Sequence, residues 1–399
     1  MIWVILTLMR LFLVFVALFI APLFIAPLLP ATETLPDISY FKESFEECDK
    51  DFNQQFYRIK KNRPEAEIHE FQYSEGSIKS YFFPATKVQK NLLVMISGTH
   101  GIEGFTGSAV QRWLLDQKID DEKTAILMIH GFNLYGFKNF RRVNENNIDL
   151  NRNFILSRGQ FKVDDKSYAE LDSLLNPKSP PEVNFYSRYS FILKSVFNIA
   201  KYSLESLRSS ILKGQYSFPN GVFYGGNKTQ IQGMLITDLV QTYMKPYKKI
   251  LLIDLHTGYG ERAKLHLLAG KASDGNSIIL QKIFNADEID FSDKNKFYAV
   301  EGEMLAYFAN KIKLKVNAEL AAVVFEYGTL DTQKTLGSIE SLRRVVLENQ
   351  NFHFPAAPDT SRKIKTLYRE MFYPSDKNWR RAVLQQTSEK MAAILRYLD

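Results

Sequence analysis

The chain has 399 residues, of which 45% are hydrophobic, and its 51 basic and 44 acidic residues give a formal net charge of +7. This composition excludes a disordered chain and is sufficient for a large buried core. The basic excess is spread along the sequence without a dense run or a nucleic-acid-binding motif, so we expect no nucleic-acid partner. The single cysteine, Cys48, excludes an intramolecular disulfide.

Residues 1–30 form an almost entirely apolar segment in which Arg10 is the sole charge. The segment is long enough to cross a bilayer and also has the character of a long signal peptide. Acidic residues such as Glu33 and Asp37 follow it, and the positive-inside rule then predicts export of the rest of the chain. We expect a hydrophobic N-terminal helix, either a membrane anchor or the cleaved signal of a periplasmic or secreted protein, and one domain over residues 31–399.

Downstream, the apolar patterns predict strands that alternate with helices. Residues 68–83 predict a hairpin or a pair of edge strands. Continuous apolar runs at residues 92–96, 124–130, 250–253 and 321–325 predict buried strands. The predicted helices cover residues 38–60, 105–117, 189–212, 233–246, 278–284, 304–311, 338–350 and 379–398, and further strands are expected at 264–270 and 297–301.

Two histidines directly follow buried strands and are candidate metal ligands. The first run leads into a glycine-rich loop with His100 and Glu103, and the third run leads into Asp254 and His256. In α/β proteins, side chains at the carboxyl ends of central strands face the crevice where ligands bind. Imidazole nitrogens and carboxylate oxygens are standard zinc ligands, and Asp254 is placed to orient His256 through the other ring nitrogen.

Two further stretches carry polar groups that suit hydrolysis. Glu326 ends an apolar strand, where a carboxylate without a partner is costly to bury, so we expect it to be either functional or paired. Beside a metal it would take a proton from water and pass it to the leaving group. Residues 141–154, RRVNENNIDLNRNF, concentrate arginine and asparagine, a pattern that indicates a substrate with a free carboxylate or an oxyanion to be stabilised.

These motifs, in this order, resemble the zinc carboxypeptidase-like (M14-like) metallopeptidase superfamily and, more narrowly, the DUF2817 family. They are SGTHGIEGFTGS from Ser97, RRVNENNIDLNRNF from Arg141, GQYSFPNGVFYGG from Gly214 and DLHTGYG from Asp254. The resemblance extends over most of the chain after about Ser39. It implies a zinc-hydrolase-like catalytic domain built as a three-layer α/β/α sandwich with a mixed, mostly parallel sheet.

The resemblance also implies a role for each candidate residue. One zinc ion per chain would bind to His100, Glu103 and His256. Glu326 would be the general acid and base, and Asn151 and Arg152 would hold the substrate's carboxylate.

The assignment of the remaining residues stays open at this point. Arg142 is expected to polarise the scissile carbonyl group, with Arg141 as the alternative, because the spacing to the Asn-Arg pair does not fit every branch of the superfamily. Tyr216 and Tyr224 belong to a loop rich in glycine and aromatic residues, and they are candidates for lining a substrate pocket. The helical excursion within residues 189–212 is expected to lie over the mouth of the site.

We therefore predict a zinc-dependent hydrolase that cleaves an amide bond next to a carboxylate of a small peptide, by glutamate-assisted attack of zinc-bound water. Two alternatives remain. One is an N-acyl-amino-acid deacylase similar to the aspartoacylase and succinylglutamate desuccinylase branch. The other is a non-catalytic binding protein on the same fold, since a fold and a motif do not guarantee an activity.

Overall fold

The computed structural model describes the chain in six stretches that begin after the apolar N-terminal segment. They are residues 36–117, 122–155, 161, 166–269, 274–291 and 302–398. The predicted N-terminal helix and the strand expected at residues 297–301 lie outside these stretches. Within them, no helix combines the length and the apolar character that a membrane span requires.

An eight-stranded sheet runs through the described part of the chain. Its strands are β1 (Glu67–Tyr73), β2 (Gly76–Phe83), β3 (Asn91–Ser97), β4 (Thr124–His130), β5 (Lys249–Gly258), β6 (Leu265–Ala269), β7 (Ile289–Phe291) and β8 (Glu319–Gly328). Their spatial order is β1-β2-β4-β3-β5-β8-β6-β7. Strands β4, β3, β5 and β8 are parallel, whereas β2 and β6 run antiparallel to their central neighbours. The mixed, mostly parallel sheet is confirmed.

The central strands are mostly apolar because helices cover both of their faces. Every residue of β3 and β4 is buried, which is typical of parallel strands in α/β proteins. The edge strand β1, by contrast, alternates between exposed and half-buried residues. It pairs with β2 as the predicted hairpin.

Helices flank the sheet. They are α1 (Phe45–Lys60), α2 (Gly104–Leu115), α3 (Leu134–Asn139), α4 (Lys166–Ala169), α5 (Asp172–Leu175), α6 (Phe185–Tyr202), α7 (Leu204–Leu212), α8 (Ile231–Met244), α9 (Asp274–Ile283), α10 (Met304–Tyr307), α11 (Thr335–His353), α12 (Pro358–Phe372) and α13 (Lys377–Leu398). Helices α3, α4, α5 and α12 and strand β7 were not predicted. Pro358 at the first turn of α12 was an available signal for the helix.

Alternate residues of the central strands separate two apolar layers. Leu93 and Met95 of β3 face the layer formed with α1, α2, α9 and α13. Leu92 and Val94 face the opposite layer, which contains α8 and α10. This period of two is that of a strand, and it produces the predicted three-layer α/β/α sandwich.

A third apolar cluster covers the carboxyl end of the central strands. Ile102, just beyond the end of β3, packs there with residues of α4, α5, α7, α11 and α12. We call residues 166–212, which contain α4 to α7, the cap. The expected helical excursion is thus two helices, α6 and α7, that belong to the cap.

Candidate metal centre

The loop between β3 and α2 carries the first two predicted ligands. His100 precedes a short 3-10 turn, Gly101–Glu103, which leads directly into α2. A Cβ atom on Gly101 would lie 2.1 Å from the carbonyl carbon of Gly136 in α3. A side chain at this position would therefore push the loop off α3, and glycine fixes the path that brings His100 and Glu103 to the crevice.

His100, Glu103 and His256 converge on one point. The Nδ1 atoms of the two histidines lie 3.0 Å apart. Oε1 of Glu103 lies 2.9 Å from Nδ1 of His100, and Oε2 lies 2.8 Å from Nδ1 of His256. All three residues are buried, and the three side chains each offer one ligand atom within 4.8 Å of the others.

The outer nitrogen of His256 is held by Asp254. Oδ2 of Asp254 lies 2.6 Å from Nε2 of His256, and Oδ1 accepts a hydrogen bond of 2.8 Å from the hydroxyl group of Thr99. A carboxylate can only accept, so Nε2 of His256 carries a proton and donates it. When the ring is neutral, Nδ1 presents its lone pair to the centre, which is the tautomer that a metal requires.

The outer nitrogen of His100 contacts both an arginine and a carboxylate. Nε2 lies 2.6 Å from Nη2 of Arg142 and 3.3 Å from Oδ1 of Asp149. A guanidinium can only donate, so Nε2 of His100 accepts from Arg142 here and Nδ1 donates to Glu103. A metal held at Nδ1 would require the tautomer with its proton on Nε2, and Asp149 is the acceptor within reach. Burial raises the pKa of Asp149, but the Arg142 guanidinium outweighs it and holds that pKa well below the usual range, so the acceptor is charged.

Glu326 is positioned by strand register. It is the direct partner of His256 in the parallel pair of β5 and β8, and both residues line the same cavity. Its Oε1 accepts a hydrogen bond of 2.8 Å from the backbone N–H of Tyr259. Burial, assisted by the charge of Glu103, raises the pKa of Glu326 to about 8. A carboxylate with a raised pKa is a stronger base than one in water.

The structure separates the two candidate arginines. The Arg142 guanidinium also contacts Asp149 at 2.9 Å and Glu103 at 3.4 Å, and it lines the cavity. Arg141 instead donates to Glu348 at 2.8 Å and stacks 3.6 Å from the ring centre of Phe352. Of the pair, Arg142 is the one that the fold brings to the cluster.

Asn151 and Arg152 both line the cavity, and both also hold the backbone around it. Oδ1 of Asn151 accepts a 2.9 Å hydrogen bond from the N–H of Met304. Arg152 donates twice to the carbonyl oxygen of Leu212, at 2.7 and 3.1 Å, and once to that of Asn151 at 3.1 Å. A guanidinium has five N–H groups, and the described residues accept three of them, which leaves two for a ligand.

The two candidate tyrosines support the site from outside. The ring of Tyr224 is buried in the layer that contains α8, and its backbone carbonyl accepts from the N–H of Asp149 at 2.8 Å. The Tyr216 hydroxyl donates to the backbone carbonyl of Arg152 at 2.7 Å. Neither tyrosine is among the residues that line the cavity in the described part of the chain.

Two carboxylates of the centre were not assigned from sequence. Asp149 lies within the arginine- and asparagine-rich motif, and its position in that motif was the available signal. Glu303 precedes α10 and lines the cavity, and burial raises its pKa to about 7. It lies just after the strand expected at residues 297–301, but no metal-ligand or catalytic motif in the sequence distinguished it.

These side chains share one cavity of about 210 Å³ at the carboxyl edge of the sheet. Its polar floor is formed by His100, Glu103, Arg142, Asn151, Arg152, His256, Glu303 and Glu326. Buried acids and bases in contact with one another in a cleft are characteristic of functional sites.

The residues of the cluster fit a divalent metal ion. Two imidazole nitrogens and a carboxylate form a donor set that zinc uses in catalytic sites. Burial lowers the pKa of His256, but the Asp254 and Glu103 carboxylates raise it well above its usual range. The surrounding carboxylates therefore stabilise positive charge at the centre of the cluster, and a cation bound there would supply that charge.

Fold and site together define an α/β protein with a buried His-Glu-His cluster at the carboxyl edge of a mixed sheet. Residues 68–386 match the family model described as "Protein of unknown function (DUF2817)". Since the match covers most of the chain, the protein belongs to the DUF2817 family, as predicted. Among curated proteins, none matches the sequence.

Distant likenesses to solved structures were also found. Carboxypeptidase A of Helicoverpa armigera aligns with a TM-score of 0.41 at 15% identity, over 77% of this chain and 75% of that one. Bovine thrombin-activatable fibrinolysis inhibitor aligns with a TM-score of 0.41 at 12% identity, over 88% of this chain and 99% of that one. A Shewanella amazonensis SB2B protein described as a candidate metallopeptidase aligns with a TM-score of 0.37 at 13% identity. The alignment covers 77% of this chain and 95% of that one. The function is therefore inferred from the site itself.

Proposed function

We propose that this protein is a metal-dependent hydrolase that cleaves an amide bond next to a carboxylate of its substrate. The observation that carries the proposal is the convergence of His100, Glu103 and His256, whose facing atoms lie 2.8 to 3.0 Å apart in a cavity shared with Glu326. One zinc ion per chain, held by these three residues, would activate water and polarise the substrate carbonyl group.

Glu326 is the proton carrier in this proposal. It takes a proton from the attacking water and returns it to the departing amine, so that the amide C–N bond breaks as the new C–O bond forms. The backbone N–H of Tyr259 holds one carboxylate oxygen, and the residue lines the cavity. A carboxylate with a pKa of about 8 accepts a proton from water more readily than an ordinary glutamate does.

Arg142, Arg152 and Asn151 bind and orient the substrate. The Arg142 guanidinium lies at the cluster and stabilises the oxyanion that develops on the scissile carbonyl. The unused N–H groups of Arg152, with the Asn151 side chain beside them, bind the carboxylate of the substrate.

An N-acyl-amino-acid deacylase would use the same residues, because it also cleaves an amide next to a carboxylate. Aliphatic side chains that line the cavity, such as Leu171, Leu204 and Leu207, favour this second candidate because they suit an acyl chain. For the protein's location, residues 1–30 support export to the periplasm or beyond, either by a cleaved signal or with a retained anchor.

The proposal is tested by metal content and by turnover. Elemental analysis of the parent should give about one zinc per chain, and a His100→Ala/His256→Ala variant should give none. Glu326→Gln keeps an oxygen for the Tyr259 N–H, so it should retain zinc while losing about 10²- to 10⁴-fold in kcat on a cleaved amide.

Each outcome has a clear meaning for the proposal. A fully active Glu326→Gln variant would refute the proton-carrier role. Zinc bound without hydrolysis of any member of a broad amide panel would instead favour a non-catalytic binding protein.

A further inference from the structure

The cavity has a polar floor and an aliphatic wall. The floor lies at the edge of the sheet, where the metal cluster, Arg142 and Glu326 are placed. The wall is built by residues of the cap and of α11. Its aliphatic side chains include Leu171, Ile199, Leu204, Leu207, Ile211 and Leu342.

The wall offers few hydrogen-bond partners to a peptide backbone. It is formed mainly by α6, α7 and α11, whose backbone groups are already used in helical hydrogen bonds. Arg208 also lines the cavity, but its guanidinium donates to Ser338 at 3.1 Å and to the carbonyl oxygen of Thr332 at 2.7 Å. A second peptide unit placed here would lose its hydrogen bonds to water without replacing them, which is costly.

A few polar side chains interrupt this wall, among them Ser195, Asn198 and Ser341. The Ser195 hydroxyl lies on the inner face of α6 without a hydrogen-bond partner among the described residues. Asn198, one turn away, already donates to the carbonyl oxygen of Lys194 at 2.8 Å. Isolated groups of this kind can each accept a single amide, but they cannot satisfy every N–H and C=O group of an extended backbone.

We propose that the substrate is an N-acyl amino acid with a long aliphatic acyl chain, which lies in the cavity between the cap and α11. This inference rests on the proposed function and names its substrate class. The amide lies at the metal cluster and the amino-acid carboxylate lies at Arg152. Hydrolysis joins the water oxygen to the acyl carbon and breaks the C–N bond, and the amine leaves with the proton, giving a fatty acid and a free amino acid.

Binding can be measured without turnover. Calorimetry on the metal-free full chain should compare N-acetyl-, N-butanoyl- and N-octanoyl-L-alanine with tetra-alanine. Each buried methylene contributes about 0.8 kcal/mol, so affinity should rise about fourfold per methylene along the series. Tetra-alanine should bind no better than N-acetyl-L-alanine.

Two substitutions test whether the wall sets the preferred length of the acyl chain. Leu342→Trp fills part of the cavity from α11 and should move the preferred acyl chain to shorter lengths. Leu193→Trp is the matched control, because Leu193 lies on the outer face of α6 and is 67% exposed. It should leave the chain-length profile unchanged. A shift of preferred length requires a folded site, so misfolding cannot imitate it.

The outcomes distinguish the two proposals. Equal affinity for N-octanoyl- and N-acetyl-L-alanine would overturn the acyl-chain inference, even if the zinc-loaded protein hydrolyses amides. The same conclusion follows if tetra-alanine binds best. Strong chain-length dependence of binding, together with no hydrolysis by the zinc-loaded protein, would support the acyl site and overturn the proposed reaction.

Discussion

The contact between Asp254 and His256 should control the metal affinity of the centre. Asp254 forces the proton of His256 onto Nε2, at a distance of 2.6 Å, and so turns the lone pair of Nδ1 toward His100 and Glu103. Replacing Asp254 with alanine leaves the N–H of His256 without its buried acceptor and removes the charge that fixes the tautomer. Losses of this kind weaken metal binding by about 10- to 100-fold.

A second substitution at Asp254 separates the loss of zinc affinity that comes from the charge from the loss that comes from the hydrogen bond. In Asp254→Asn the amide oxygen can still accept from His256 if the amide nitrogen donates to Thr99, whose hydroxyl can act as acceptor instead of donor. Only the charge assistance is then lost, and charge-assisted bonds are roughly twice as strong as neutral ones. We therefore expect about a tenfold weaker zinc affinity for Asp254→Asn and about 100-fold for Asp254→Ala.

The assay is zinc competition with a chromophoric chelator at fixed pH, with the melting temperature of each metal-free variant as a check on folding. Asp238→Asn, a change on helix α8, serves as the control and should bind zinc like the parent. If Asp254→Ala binds zinc as tightly as the parent while the His100→Ala/His256→Ala variant does not, the orienting role of Asp254 is refuted.

Three further predictions follow from single contacts. Arg142→Lys should lower kcat/KM by about 10²-fold or more through the lost oxyanion contact, whereas Arg141→Lys should change thermal stability and leave kcat/KM near that of the parent. Burial lowers the pKa of His130 to about 3, so the folded protein keeps the ring neutral while the unfolded chain protonates it below about pH 6.5. The free energy of unfolding should therefore fall by about 2 kcal/mol between pH 7 and pH 5. In His130→Gln this part of the pH dependence should be absent. Gly101→Ala places a Cβ 2.1 Å from the Gly136 backbone and should cost about 3 kcal/mol or more in denaturant unfolding, so normal stability would contradict the packing described.

The parts of the fold that could be predicted are those with a strong apolar pattern. The central strands are continuous apolar runs, and three of them end in polar side chains that the parallel arrangement gathers at one edge. This is why His100, Glu103, His256 and Glu326 could be selected together before their geometry was known.

The choice between the two neighbouring arginines required the structure. Arg141 and Arg142 lie in a loop without a period, where adjacent side chains can point in any direction, and only the packing of Phe352 and Glu348 shows that Arg141 turns away. Asp149 illustrates the same limit, because its partner His100 is distant in sequence. The Asp254–His256 pair was predictable, since residues that lie two positions apart on one strand share a face.

The cap contributes none of the three candidate metal ligands, nor Arg142 or Glu326, although it forms most of the aliphatic wall. Chemistry and selectivity thus occupy different stretches of the chain: the reactive groups lie on strand ends and the loops after them, and the wall belongs largely to residues 166–212. An engineer could exchange that segment for one of different shape and retain the reacting groups. The main contact to preserve is the pair of hydrogen bonds from the Arg152 side chain to the carbonyl group of Leu212.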